Sequence, residues 1–123
     1  MTDYVNAEKQ ITDCLLSYTR GIDRLDPEAI IAAFHPGALL EGYQPEALVP
    51  IEEFALPVVE RLKKRYSSTQ HRLSNTKIDF KSSGAIAESY ILAYHIQPAD
   101  DDNPERLWTF SGRYIDYFEN RNE

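Results

Sequence analysis

Three polar residues in apolar surroundings are where this 123-residue chain could do chemistry: Asp23 after an apolar helical stripe, His71 heading a strand-like run, and Arg113 inside an aromatic one. An acid that orients an imidazole makes it a general base, and a cation can receive the negative charge that a removed proton leaves behind. Asp23 and His71 are far apart in sequence, so only the fold can bring them together. If they meet, the carboxylate holds the ring in one tautomer and stabilises its protonated form, leaving the other nitrogen as the base. The bland alternative is a half-buried histidine at a strand start and an aspartate that merely ends a helix.

Other residues could complete such a site. Tyr18 lies a little more than one turn before Asp23, and its phenol could donate to a substrate oxygen or simply pack. In the strand starting near Thr69, His71, Leu73 and Asn75 share one parity while Ile78 and Phe80 take the other, so a bulge near Thr76 is expected. Asn75 would then orient a substrate or satisfy backbone groups. Arg113 shares a face with Thr109, Ser111, Ile115 and Tyr117, and Trp108, Phe110, Tyr114 and Phe118 line the other. Alternation alone does not say which face looks inward. Facing inward, Arg113 would bind a leaving anion or an enolate oxygen; facing outward, it would pair with a surface acid. Tyr66, Tyr90, Tyr94, Trp108 and Phe110 are the candidate aromatic walls of a pocket. His35, before Pro36, reads as structural, and His95 could face either way. With no HExxH, cysteine cluster, glycine-rich phosphate loop, Gly-x-Ser-x-Gly elbow or dinucleotide fingerprint, the sequence points to chemistry without metal or cofactor. The Asp100-Asp101-Asp102 loop lacks the glycine and later glutamate of an EF-hand.

These residues need elements to hold them. Ile11, Leu15, Tyr18 and Ile22, widened by Cys14 and Leu25, predict an amphipathic helix over about residues 4–24. Asp26-Pro27-Glu28 is an N-cap, first-turn proline and first-turn acid, launching a short helix through Ile30, Ile31 and Phe34 that Pro36-Gly37 stops. A short strand over 38–41, a loop over 42–50, and a helical pattern over 51–66 with a break or fresh start at Pro57 follow. Residues 69–80, 85–97 and 107–118 predict three antiparallel strands. Helices followed by long strands describe an α+β domain whose curved sheet wraps the helices around a conical cavity.

Length fits one domain over residues 1–123 with one modest core. A formal net charge of −7 repels phosphate backbones and anionic membranes, so neither nucleic acid nor a membrane is an expected partner. The single cysteine, Cys14, reads as a small buried hydrophobe, and with no leader evident the expected location is the cytoplasm. Aromatic content suits a small organic ligand.

Taken together, Tyr18-Thr-Arg20-Gly-Ile-Asp23-Arg-Leu-Asp26, Phe34-His35-Pro36-Gly37-Ala38, His71 with Asn75, and Gly112-Arg113-Tyr114-Ile-Asp116 make the chain resemble the SnoaL-like branch of the nuclear transport factor 2-like superfamily. That group includes polyketide cyclases, scytalone dehydratase, a hexachlorocyclohexane dehydrochlorinase and bile-acid dehydratases. The resemblance implies a cone-shaped α+β barrel (cystatin-like) with a deep pocket and an Asp–His pair at Asp23 and His71 acting as base in eliminations. It places a substrate-contacting polar group at Tyr18 and a cation at Arg113, and implies dimers or trimers through the sheet. The expected activity is that of a cofactor-independent lyase or isomerase acting on a small, largely apolar cyclic substrate; the alternatives are a binding protein for a hydrophobic ligand and a structural subunit like that of the dioxygenases. Relatives continue after the Gly-Arg-Tyr strand with a turn and a tryptophan-bearing strand, whereas this chain ends at Asn120-Arg121-Asn122-Glu123. A truncated sequence or a sheet one strand short, with an edge open to another subunit, is therefore expected.

Overall fold

The stripe of Ile11, Leu15, Tyr18 and Ile22 builds α1 (Thr2–Asp23), and all four side chains are buried. Cys14 is only half-buried, at the margin of that stripe. The structure, a computed structural model, describes residues 2–121; Asn122 and Glu123, the last two residues of the expected shortened terminus, lie outside the described residues. α1 ends in a doubly bonded turn: Leu25 adopts the left-handed region (φ 55°), its N–H reaches the Ile22 carbonyl at 3.2 Å, and the Asp26 N–H reaches that of Gly21 at 2.9 Å. Glycine is the usual residue there, and leucine accepts a cost of roughly 1–2 kcal/mol. The Leu25 side chain packs against the core, which offsets that strain. Asp23 is thereby fixed in the last helical turn.

Asp26 then caps α2 (Pro27–Ala32), accepting from the Ala29 N–H at 3.1 Å. The helix stops short of Phe34 because the Ala33 and Phe34 N–H groups bond three residues back, to Ile30 and Ile31. Where a short strand and a loop were expected, β1 (Leu39–Gln44) and β2 (Ala47–Pro50) form an antiparallel hairpin with Leu40 opposite Val49, both buried. Its turn uses Glu46 at φ 57° and carries no glycine signal. The expected break at Pro57 is absent: α3 (Ile51–Arg65) runs through it. Pro57 lies on the exposed side, where water can take up the freed carbonyl, while Phe54, Ala55, Val58, Val59 and Leu62 anchor the buried side.

Three strands form one antiparallel sheet in the order β3 (Ser68–Lys81), β4 (Gly84–Gln97), β5 (Arg106–Phe118). The β3–β4 register shifts between Ser74 and Lys77, with Asn75 at φ 52°, so the expected bulge is present. It returns Ile78 and Phe80 to the face that carries His71 and Leu73. On β4 the same face is small: Ala85, Ala87, Ser89, Ile91 and Ala93 are all buried. α1 packs there, its Ile11 and Leu15 meeting Ala85, Ala87, Leu73, Ile78, Phe80 and Phe118. A second core joins α1, α2, α3 and the hairpin around Ile30, Ile51 and Val59. No helix among the described residues is long and apolar enough to cross a membrane.

Candidate functional site

The end of α1 lies beside the start of β3, and the two side chains whose meeting the sequence left open are in contact. His71 Nδ1–H donates to Asp23 Oδ1 at 2.7 Å, His71 N–H donates to Oδ2 at 2.9 Å, and Thr69 Oγ1–H donates to Oδ1 at 2.9 Å. A carboxylate at a helix C-terminus opposes the helix dipole, so these three donors are what hold it there. Burial pushes the Asp23 carboxyl up, but the bonds from the His71 ring, the His71 backbone and Thr69 outweigh it and keep the group below its ordinary value. The His71 side chain is 11% exposed and that of Asp23 24%, so the pair is sheltered yet reachable. With Nδ1 committed, Nε2 is the nitrogen left for a substrate.

Register fixes what surrounds the pair. His95 stands opposite Trp108 and Ala93 opposite Phe110, so Trp108, Phe110, Gly112, Tyr114 and Asp116 share the concave face with His71. The His95 ring is edge-on to His71 at 5.5 Å and 4.9 Å from Tyr66. Burial, then the neighbouring His71, push His95 below the ordinary histidine value, so it stays neutral. Tyr114 packs edge-on against Tyr18 at 5.9 Å, and Tyr18 against Phe34 at 5.6 Å. The Tyr18 and Tyr43 hydroxyls share a hydrogen bond at 3.3 Å. Burial first, then neighbouring phenols and Asp116, push Tyr18 up; burial, Tyr43, Asp116 and Asp23 do the same for Tyr114. Both therefore remain O–H donors. Asp116, which no hydrogen bond or ion pair reaches among the described residues, is pushed up to about 6 by burial.

Several expected site residues lie elsewhere. Arg113 is on the convex face, paired in register with Tyr90, its side chain 61% exposed and bound to Glu88 at 3.2 Å. It cannot receive charge from the concavity. Tyr90 and Tyr94 share that convex face; Tyr94 carries the Arg72 guanidinium at 5.1 Å, and neither lines a pocket with His71. Asn75 is consumed by the bulge and exposed. Tyr18 is buried in the core, its hydroxyl already engaged. Tyr66, Trp108 and Phe110 do stand on the concave side, but Trp108 is 49% and Phe110 56% exposed, so among the described residues the concavity is open where a deep closed pocket was expected. His35 is structural, Nε2–H donating to the Glu119 carbonyl at 2.8 Å.

The profile of the SnoaL-like domain matches residues 3–123. The chain belongs to the SnoaL-like family. Its fold is that of nuclear transport factor 2-like proteins. A provisionally named scytalone dehydratase from Novosphingobium aromaticivorans matches 99% of this SnoaL-like domain over 80% of its own chain, with 24% identity and a TM-score of 0.80. The hexachlorocyclohexane dehydrochlorinase LinA-type3 of Novosphingobium barchaimii matches 98% over 81%, at 18% identity and TM-score 0.77. A nuclear transport factor 2-like protein from Salmonella enterica serovar Typhimurium matches 97% over 84%, at 18% identity and TM-score 0.76. At these identities the likeness is one of fold. No curated protein matches the SnoaL-like domain significantly in sequence.

Sequence reasoning did not select Thr69, His95, Tyr114 or Asp116. The signal was present in the run of small residues at alternate β4 positions, Ala85, Ala87, Ser89 and Ala93, which marks the face a helix approaches closely. Carried through antiparallel pairing, it puts Tyr114 and Asp116 inside and Arg113 outside.

Proposed function

We propose that this SnoaL-like domain is an acid–base lyase or isomerase acting on a small cyclic molecule, with His71 as the base. The observation that carries it is the 2.7 Å bond from His71 Nδ1–H to Asp23, which leaves Nε2 free on the concave face. Nε2 takes a proton from a carbon next to an electron-withdrawing group; the C–H pair becomes a double bond. In an elimination the bond between the adjacent carbon and the leaving group breaks, and that group departs with the electrons of its own bond. In an isomerisation His71 returns the same proton to another carbon. Asp23 orients the ring and stabilises the imidazolium that forms. Tyr114, an unspent phenol on the concave face, is the donor for a developing oxyanion, with the Tyr18–Tyr43 pair packed behind it. Tyr66, Trp108 and Phe110 supply the aromatic surface that a ring would lie against. The dehydratase and dehydrochlorinase names among proteins of the same fold are consistent with this chemistry.

Proton abstraction is common to both outcomes, so it is the step to measure. Solvent deuterium exchange into the acidic carbon of a panel of cyclic ketones and β-hydroxy ketones should be catalysed by the wild-type protein and fall by about 10²- to 10⁴-fold in His71→Gln, with the circular dichroism spectrum unchanged. Exchange at the wild-type rate in that variant would remove His71 from the mechanism. The open concavity favours one second reading, a binding protein only, for which ligands saturate the wild type and no carbon exchanges.

A further inference from the structure

Arg106 opens β5 on the concave side, beyond Trp108 toward the rim, and its Nε is buried without a hydrogen-bond partner. A buried donor with no acceptor keeps the cost of desolvation unrepaid, the more so on a charged group, so a guanidinium left this way is poised for an acceptor that the described residues do not supply. The Arg106 guanidinium stacks on the Trp108 ring at 5.6 Å. It lines a rim cavity of about 400 Å³ together with Arg65, Tyr66, Gln97 and Trp108. Gln97 adds direction: its Oε1 accepts from Trp108 Nε1–H at 2.7 Å, which fixes the amide and leaves the Nε2 hydrogens unspent. The cavity thus offers two cations, one oriented amide donor and two aromatic walls, and no carboxylate lines it.

Asp100 in the neighbouring acidic loop is within electrostatic reach of Arg106 but makes no ion pair with it; its Oδ1 accepts from the Asp102 and Asn103 backbone N–H groups at 2.9 and 2.8 Å and from the Asn103 amide. A larger hollow of about 620 Å³ along α3 is lined by Glu60, Arg61, Lys63 and Lys64, a charged helix face with its own counterion. In a chain of net charge −7, two arginines around one cavity, neither in an ion pair among the described residues, stand out.

We propose that the rim cavity binds an oxyanion, the carboxylate or phosphoryl group of a substrate whose ring lies against Trp108 and Tyr66. This deepens the proposed function and rests on it for the direction of the reacting carbon. Trp108 pairs with His95, whose ring is 5.5 Å from that of His71. His71 stands opposite Ala93 and Arg106 opposite Gln97, four register positions and two strands apart, so their backbones are on the order of 15 Å apart and the two side chains share one substrate by reaching toward each other along the concave face. The guanidinium fork suits either oxyanion, and it converts the expectation of a largely apolar substrate into one of an aromatic or alicyclic acid or phosphate.

Trp108 is the chain's single tryptophan and reports binding directly. Its fluorescence would be titrated with benzoate, phenyl phosphate and uncharged benzyl alcohol. The expected result is saturable quenching by benzoate or phenyl phosphate at least tenfold tighter than by benzyl alcohol, weakening with added salt; the tighter of the two anions identifies the group. Arg106→Gln and Arg65→Gln should each weaken anion binding at least fivefold. Benzyl alcohol binding as tightly as both anions would overturn the proposal, and that comparison needs no variant. So would an Arg106→Gln protein, folded by circular dichroism, with wild-type anion affinity. Anion binding without deuterium exchange would overturn the catalytic reading and leave this site standing; exchange without anion preference would do the reverse.

Discussion

At the residue scale the site depends on one carboxylate doing two things. Asp23 accepts from the His71 ring and the His71 backbone at once, so it fixes the ring's tautomer and also the strand from which the ring projects. Asn at position 23 would keep an oxygen for Nδ1–H but present an amide to one of the remaining donors and carry no charge to stabilise an imidazolium. Asp23→Asn is therefore expected to slow proton exchange by about 10²- to 10⁴-fold while benzoate still quenches Trp108 as in the wild type. Exchange within a few-fold of wild type would reduce Asp23 to a helix-end residue. The identities of this pair were legible in the sequence because both stand alone in apolar stretches. Arg113 met the same criterion and lies outside, because a lone charge marks a site only once the inner face is known. Its 3.2 Å bond to Glu88 is an ordinary exposed pair, worth little.

At the scale of elements, the strands were legible to within about one residue at each end, since long β-branched and aromatic runs bounded by Ser82-Ser83-Gly84 and by Pro98 to Pro104 leave little choice. The β1–β2 hairpin was not legible, because its turn uses Glu46 where glycine or asparagine would have announced it. The bulge was legible from parity alone, and it is what lets one strand present His71 to the site and Phe80 to the α1 core. Asn75 occupies its left-handed position, which asparagine tolerates better than other non-glycine residues. Asn75→Gly should therefore change stability by only a few tenths of a kcal/mol, Asn75→Val should cost roughly 1–2 kcal/mol, and deletion of Asn75 should abolish folding by turning Ile78 and Phe80 outward. Urea unfolding measures all three, and a deletion variant as stable as wild type would show that the register is set elsewhere.

For the whole molecule, three groups on one concave face make stability depend on pH in opposing directions. Asp23 is held below its ordinary 3.8, so its contribution is present above that value and is lost as pH falls through the lower folded one. His95 is held below 6.5, so folding opposes its protonation and stability falls as pH drops from there. Asp116 runs the other way: burial lifts it from 3.8 to about 6, the folded state holds the proton more tightly, and acidification through 6 toward 3.8 stabilises the protein. The shift corresponds to about 3 kcal/mol at most, and about 1–2 kcal/mol once partial exposure is allowed for. Asn at position 116 is neutral at every pH, so it avoids the burial cost that an ionised Asp116 carries near pH 7.5 and gains nothing where Asp116 is already protonated. Asp116→Asn should melt several degrees above wild type at pH 7.5, and the gap should narrow steadily from about pH 6 to a small remainder at pH 4. Melting curves from pH 4 to 8 test this: a gap that is constant across the range would mean Asp116 titrates as an ordinary surface acid, and that the tyrosine-lined end of the concavity is wetter than its packing of Tyr18 and Tyr114 implies.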